Sequence, residues 1–170
     1  LSSLTKTIKV LPLTQASDEV SKTPLLFAKY CITSFPQLVR LQLAANKEKS
    51  LLSGVEHSDI VGYQNSSVND IVNEVSCIYR AVHNSCDITY SNPPNSSEAV
   101  QNVRLPDTVL KTTLGTCLDL AILFSSCLLQ VGLHPILVLT DGHAFCGCFL
   151  HEYDSFSGLL ETKPNVVYSE

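Results

Sequence analysis

Basic residues are scarce in this chain: 11 Lys and Arg stand against 16 Asp and Glu, for a formal net charge of −5 at pH 7. They are scattered, and no cluster forms the footprint that a phosphate backbone needs, which argues against direct nucleic-acid binding. Long apolar runs are missing as well. The longest apolar stretch, Leu118 to Leu139, is broken by Asp119, Ser125, Ser126, Gln130, Gly132, His134 and Pro135, whereas a membrane span needs about 20 apolar residues. No charged-then-apolar leader opens the chain, so no signal peptide is legible. Repeats and low-complexity linkers are absent. The seven cysteines (31, 77, 86, 117, 127, 146 and 148) are odd in number and lack the spacing of a disulfide framework. Several fall inside apolar periodic segments, where a free thiol behaves as a small hydrophobe. A reducing, cytoplasmic compartment is the expectation. Methionine is absent altogether, Leu stands first, and an apolar run precedes Glu170. These features suggest a piece of a larger multidomain protein, whose neighbouring domains are then expected partners.

What is present fits one domain. A chain of 170 residues can bury a real core but not two comfortable ones. At 45% hydrophobic and 16% charged, with a mean hydropathy of +0.18, it is apolar for a free-standing protein. The expected layout is a single domain over 1–170, with a helical part over about 20–112 and a helix-plus-sheet part over about 113–170.

Ile8 to Leu11 reads as an opening strand closed by Pro12. Thr23 and Pro24 open a short helix to Tyr30, and Ser34-Phe35-Pro36 repeats that start signal for a helix ending near Lys49. Residues 54–67 read as polar loop. A helix starts near Asn69, with Val68, Ile71, Val72, Val75, Ile78, Tyr79 and Val82 as its apolar stripe. Ile88-Thr89-Tyr90 is a short extended piece, Ser91 to Ser97 a loop, and Pro106 to Thr112 a short helix. After Gly115, Thr116 caps a helix with Asp119 three residues on, and Gly132 ends it. That helix is apolar nearly all round and should be the buried centre of the domain. Ile136 to Thr140 and His143 to Leu150 read as strands joined by an Asp141-Gly142 turn.

The chemistry concentrates on Cys117 and His143. Cys117 is the first residue of the central helix, and helix starts present unpaired backbone N–H groups and a positive dipole end. Such a setting favours negative charge on sulfur and can also receive an oxyanion. His143 opens a strand able to pack by that helix, where an imidazole could take the thiol proton.

Gly115-Thr116-Cys117-Leu118-Asp119-Leu120-Ala121, Gly132-Leu133-His134-Pro135 and Gly142-His143-Ala144-Phe145 together resemble the transglutaminase-like, papain-type cysteine proteinase superfamily. In more detail, the chain resembles the transglutaminase-like segment of large bacterial superfamily I helicase–nuclease proteins. The stretches Pro24 to Phe35, Gly62-Tyr63-Gln64, Tyr90 to Glu98 and Gln101 to Pro106 fit that likeness too, over about residues 10–150. The resemblance implies an α+β, papain-like fold, with N-terminal helices and a buried helix bearing Cys117 packed on an antiparallel sheet bearing His143. It implies Cys117 as nucleophile and His143 as base.

Such sites use a third group to orient the imidazole. Glu161, Glu170 and, less well placed in a turn, Asp154 are the carboxylate candidates, each open to a purely structural role. Gln101 could donate to an oxyanion, or simply be structural. Asp119 reads as a helix cap.

A rival pattern is His143-x2-Cys146-x-Cys148-x2-His151, whose residue types suit zinc. Strand alternation sends the two His to one face and the two Cys to the other, so buried thiols are the better reading and no metal or cofactor is expected. The expected function is therefore a cysteine-dependent hydrolase or acyltransferase (protease, deamidase or cross-linking enzyme) acting on a protein or peptide-like substrate. The alternative is a catalytically silent interaction or regulatory module within a helicase-type protein. A redox-responsive thiol domain built on Cys127, Cys146 and Cys148 is a third reading.

Overall fold

A computed structural model describes residues 15–17, 24–64, 67–91, 100–140 and 143–152 of the chain. The expected strand at Ile8 to Leu11, the Asp141-Gly142 turn, and Asp154, Glu161 and Glu170 lie outside the described residues.

Proline and short polar side chains set where the helices begin. Pro36 opens α1 (Pro36–Ser53), its missing N–H being unneeded in a first turn. The helix runs past Lys49 to Gly54, which takes φ +67° and returns its N–H to Ser50 O at 3.0 Å. Leu51 and Leu52 in that last turn face solvent, so no apolar spacing announces it. The short helix expected up to Tyr30 is present over Pro24–Tyr30, wound as a 3-10 helix. Its period of three puts the buried Phe27 and Tyr30 on one face.

α2 (Val68–Ser85) starts on a capping box. Ser67 Oγ accepts the Asp70 N–H, and the Asp70 carboxylate accepts the Ser67 N–H at 2.8 Å. Its buried stripe is Ile71, Glu74, Cys77, Ile78 and Ala81, whereas Val72 and Tyr79 of the expected stripe are exposed. The correction turns on Glu74. A carboxylate can occupy a core position when it is paired and hydrogen-bonded. Glu74 meets Lys49 Nζ at 2.6 Å and accepts the backbone N–H groups of Val61 and Gly62 at 3.1 and 2.9 Å. The same carboxylate pins the loop after α1, which therefore carries a buried Ile60.

α3 (Pro106–Thr112) forms as expected. Three two-stranded ladders stand beside the helices among the described residues. β1 (Gln15–Ser17) pairs antiparallel with β3 (Val100–Asn102), and β2 (Thr89–Tyr90) runs parallel to β4 (Leu114–Gly115). β5 (Pro135–Thr140) pairs antiparallel with β6 (His143–Cys148). β1, β3 and β4 are two or three residues each, too short to show a period. β6 ends at Cys148 rather than Leu150, although the Phe149 N–H still carries the register one step further to His134 O at 3.0 Å.

α4 (Cys117–Gln130) joins two cores. Leu123, Cys127 and Leu128 pack with Leu38, Leu41 and Ala45 of α1 and Ile71 and Ile78 of α2. Leu118, Ala121 and Ile122 pack with Phe27, Tyr30, Val103 and Ala144. Each such buried Leu or Ile contributes about 1.5–3 kcal/mol, so the helix bearing Cys117 is held on two sides. The fold is α+β, with four α-helices among the described residues. No helix there is long and apolar enough to cross a membrane.

Candidate functional site at the start of the central helix

The start of α4 is fixed before any side chain of chemical interest is considered. Thr116 Oγ1 accepts the Asp119 N–H, and the Asp119 carboxylate accepts the Thr116 N–H at 3.0 Å. The same carboxylate takes the Arg104 N–H at 2.8 Å and Arg104 Nη1 at 2.9 Å, with no solvent exposure of its own side chain. Asp119 is thus a cap, as expected, and more: it docks the Arg104-Leu105-Pro106 run onto the helix start. Gly115 packs closely here: a Cβ would stand 3.1 Å from the Leu120 side chain, which would have to give way slightly.

Cys117 follows as the first helical residue, half-buried against the cluster of Phe27, Tyr30 and Leu118. Tyr90 stands beside it. The β2–β4 ladder sets Tyr90 opposite Gly115, and the Ser91 N–H bonds to Gly115 O at 2.9 Å. The Tyr90 phenol is near enough to Cys117 for the two groups to influence each other's charge. Desolvation and the neighbouring thiol push the phenol above its ordinary value, although the residue as a whole is half exposed. Nothing in the sequence singles out Tyr90, since the link to Cys117 runs through a ladder of two residues per strand.

His143 opens β6. The strand runs beside α4 and in the same sense: Ala144 lies in the cluster of Leu118 and Ile122, and Ser125 Oγ meets Cys146 Sγ at 3.1 Å. Cys148 packs with the cluster of Cys127 and Leu128. The first residues of α4 and β6 therefore lie at one end of the molecule. The side chains do not meet there. Ala144 is turned to α4, so alternation places His143 and Phe145 on the opposite, exposed face, with their rings 6.3 Å apart. No hydrogen bond joins His143 to Cys117 among the described residues. Gln101 sits on β3 opposite Ala16, and only its backbone is described. Glu161 and Glu170, outside the described residues, have no place in this geometry.

The remaining thiols behave as core. Burial pushes Cys31, Cys77, Cys86 and Cys148 upward, Cys146 to about 11 and Cys127 to about 12. Cys146 and Cys148 donate to the carbonyls of Gly147 and Phe149 at 3.2 and 3.3 Å, as protonated thiols do. That environment is the reverse of the electropositive, accessible one that a redox-sensing thiol needs. Cys146 and Cys148 share the face turned to α4, while His151 lies beyond β6 and is exposed. Among the described residues no three His, Cys, Asp or Glu side chains gather as a metal site would need. A cavity of about 160 Å³ lined by Tyr63, Val131, Gly132 and Glu152 lies at the far end of α4 from Cys117.

Compared with family models, curated proteins and solved structures, the chain matched none.

Proposed function

We propose that the chain is a cysteine-dependent hydrolase or acyltransferase of the transglutaminase-like kind, with Cys117 as nucleophile and His143 as its base. The observation that carries this reading is the position of Cys117. It is the first residue of a buried helix fixed by a capping box, beside the N–H groups of the helix's first turn and at the end of the molecule where β6 begins. In the reaction the sulfur attacks an amide or ester carbonyl carbon and the thiol proton passes to His143. The carbonyl electron pair moves to oxygen, where the first N–H groups of α4 receive it. Collapse expels the amine or alcohol, protonated by the imidazolium, and leaves a thioester for water or an amine to resolve. A protein or peptide-like substrate fits this chemistry. The imidazole must leave the Phe145 side of the strand to take part.

A second reading is favoured by that same detail. With His143 on the face away from α4, the domain would serve as a silent interaction module inside a larger protein. Alkylation separates the two. With iodoacetamide at pH 6 and mass-spectrometric mapping, the enzyme reading expects rapid labelling of Cys117 alone, lost in His143→Ala. Slow labelling of Cys117, unchanged by His143→Ala, establishes the module instead.

A further inference from the structure

We propose that the cavity at the far end of α4 binds an alkylammonium group, with the Glu152 carboxylate and the Val131 carbonyl as its acceptors. The proposal does not depend on Cys117 being a nucleophile. Fourteen residues of helix at about 1.5 Å each put the cavity about 20 Å from that thiol. That is too far to hand an amine to an acyl group there, so this is a second site.

The helix end supplies one acceptor. The N–H groups of Val131 and Leu133 both go to Leu128 O, at 3.1 and 3.0 Å, and that of Gly132 goes to Leu129 O at 3.1 Å. None of the described residues donates to Val131 O. Carbonyls left over at a helix C-terminus carry the negative end of its dipole, which favours a cation. The last turn of α4 has no basic residue to supply one. Gly62, at φ +64°, brings the preceding loop so close that a Cβ there would stand 2.7 Å from Val131 O. The loop is therefore a wall beside that oxygen.

Tyr63 makes the next wall. Its hydroxyl donates to Phe149 O at 2.7 Å and accepts the His134 N–H at 3.1 Å, which locks the ring between the chain after β6 and the start of β5. Val61, Gln64, Gly132 and Glu152 complete the cavity of about 160 Å³, and no basic side chain lines it. These four residues are exposed, so a ligand enters from solvent. Pockets for drug-sized ligands run to about 300–1,000 Å³, and this one fits only a short chain. A carboxylate and a carbonyl among Val61, Val131 and the Tyr63 ring suit a charged head on an apolar stem. A calcium ion would want about six to eight oxygens instead. The lysine side chain of a partner protein and a small free amine share the chemistry that fits.

NMR of the 15N-labelled whole chain at pH 7 tests this, with n-butylamine as the probe and butan-1-ol as its uncharged counterpart of equal length. Butylamine should shift the amides of Gly62, Tyr63, Gly132 and Glu152 saturably, and butanol should bind about tenfold more weakly or worse, as befits loss of a charge-assisted bond. Glu152→Gln, at an exposed position, should keep the parent spectrum elsewhere, lose about tenfold toward butylamine and leave butanol unchanged. Nα-acetyl-lysine amide distinguishes the sources: binding at least as tight as butylamine supports a protein lysine, and weaker binding supports a free amine. No saturable shift at these amides, equal affinity for butylamine and butanol, or calcium chloride binding there in preference to the amine overturns the proposal.

Discussion

Asp119→Ala should be among the most damaging single changes in this chain. Its carboxylate holds three donors: the N–H of Thr116 at 3.0 Å, the N–H of Arg104 at 2.8 Å and Arg104 Nη1 at 2.9 Å. Its side chain is fully buried and Thr116 is 3% exposed, so truncation strands the Thr116 N–H away from water and the Arg104 N–H in a part-buried setting. A buried donor left unpaired costs about 1–3 kcal/mol. The guanidinium adds little, because the Arg104 side chain is 34% exposed and can rehydrate. The loss should come to about 3–4 kcal/mol, from the stranded backbone donors together. For a domain of this size that lowers the melting temperature by roughly 6–16 °C.

Urea unfolding followed by far-UV circular dichroism measures the effect, with Arg104→Ala as the comparison. That variant leaves both backbone bonds to Asp119 intact but strips a buried carboxylate of its counter-charge, and should cost about 1.5–3 kcal/mol, less than Asp119→Ala. A local readout comes from amide hydrogen exchange. Leu120 N–H bonds to Thr116 O at 3.0 Å in the first turn, and its exchange should quicken in Asp119→Ala before that of residues near Leu128. If Asp119→Ala costs under 1 kcal/mol, or Arg104→Ala costs more than Asp119→Ala, the assignment of Asp119 as the anchor of the helix start is wrong.

Gly62→Ala should cost about 2–3 kcal/mol, because φ is +64° and the added Cβ would stand 2.7 Å from the backbone oxygen of Val131; a denaturation midpoint equal to the parent's would contradict that contact. Asp70 is held below the ordinary carboxylate value of 3.8 by the Ser67 hydroxyl first and the Ser67 N–H second. Its contribution is therefore complete above about pH 4 and lost as the pH falls through the lowered value. Asp70→Asn should flatten the acid limb of a stability-versus-pH curve, and an unchanged acid limb would refute this. Native protein at pH 8 should leave Cys127 and Cys146 unalkylated, since values of about 12 and 11 leave thiolate fractions on the order of 10⁻⁴ and 10⁻³; stoichiometric labelling of either within minutes, without unfolding, would show that their burial is overstated.

Elements governed by local chemistry were legible. The box of Thr116 and Asp119, Pro36 and Pro106 at first helical positions, and Gly132 at φ +78° after α4 each follow from one residue's own backbone preference or hydrogen-bonding reach. Elements governed by a partner far along the chain were not. Glu74 enters the core because Lys49 and a loop at 61–62 are there to receive it, which turns α2 so that Val72 and Tyr79 face water. An isolated helix stripe would bury the valine and expose the glutamate. The 3-10 winding of Pro24–Tyr30 has the same origin, since an α-helix would separate Phe27 and Tyr30 by about 60° around the axis, whereas they share one cluster.

The site divides along the same line. Cys117 at a capped helix start is a local fact, and the structure keeps it. The approach of His143 depends on which strand face meets α4, and a period of two makes that a binary choice decided by packing. Ala144 is the smaller residue, and it fits against Leu118 and Ile122 at 6% exposure, where an imidazole would demand more room and a hydrogen-bond partner. The same alternation that seats Cys146 by Ser125 and Cys148 by Leu128 therefore turns His143 outward with Phe145. Bringing the imidazole to sulfur takes either a local twist at the first residue of β6, where ladder bonds are fewest, or a one-residue shift of the whole strand. The shift would expose Ala144, Cys146 and Cys148 together and is the far costlier route. If the Cys117–His143 pair operates, motion confined to the His143 end of the hairpin must supply it, with the rest of β6 fixed on α4.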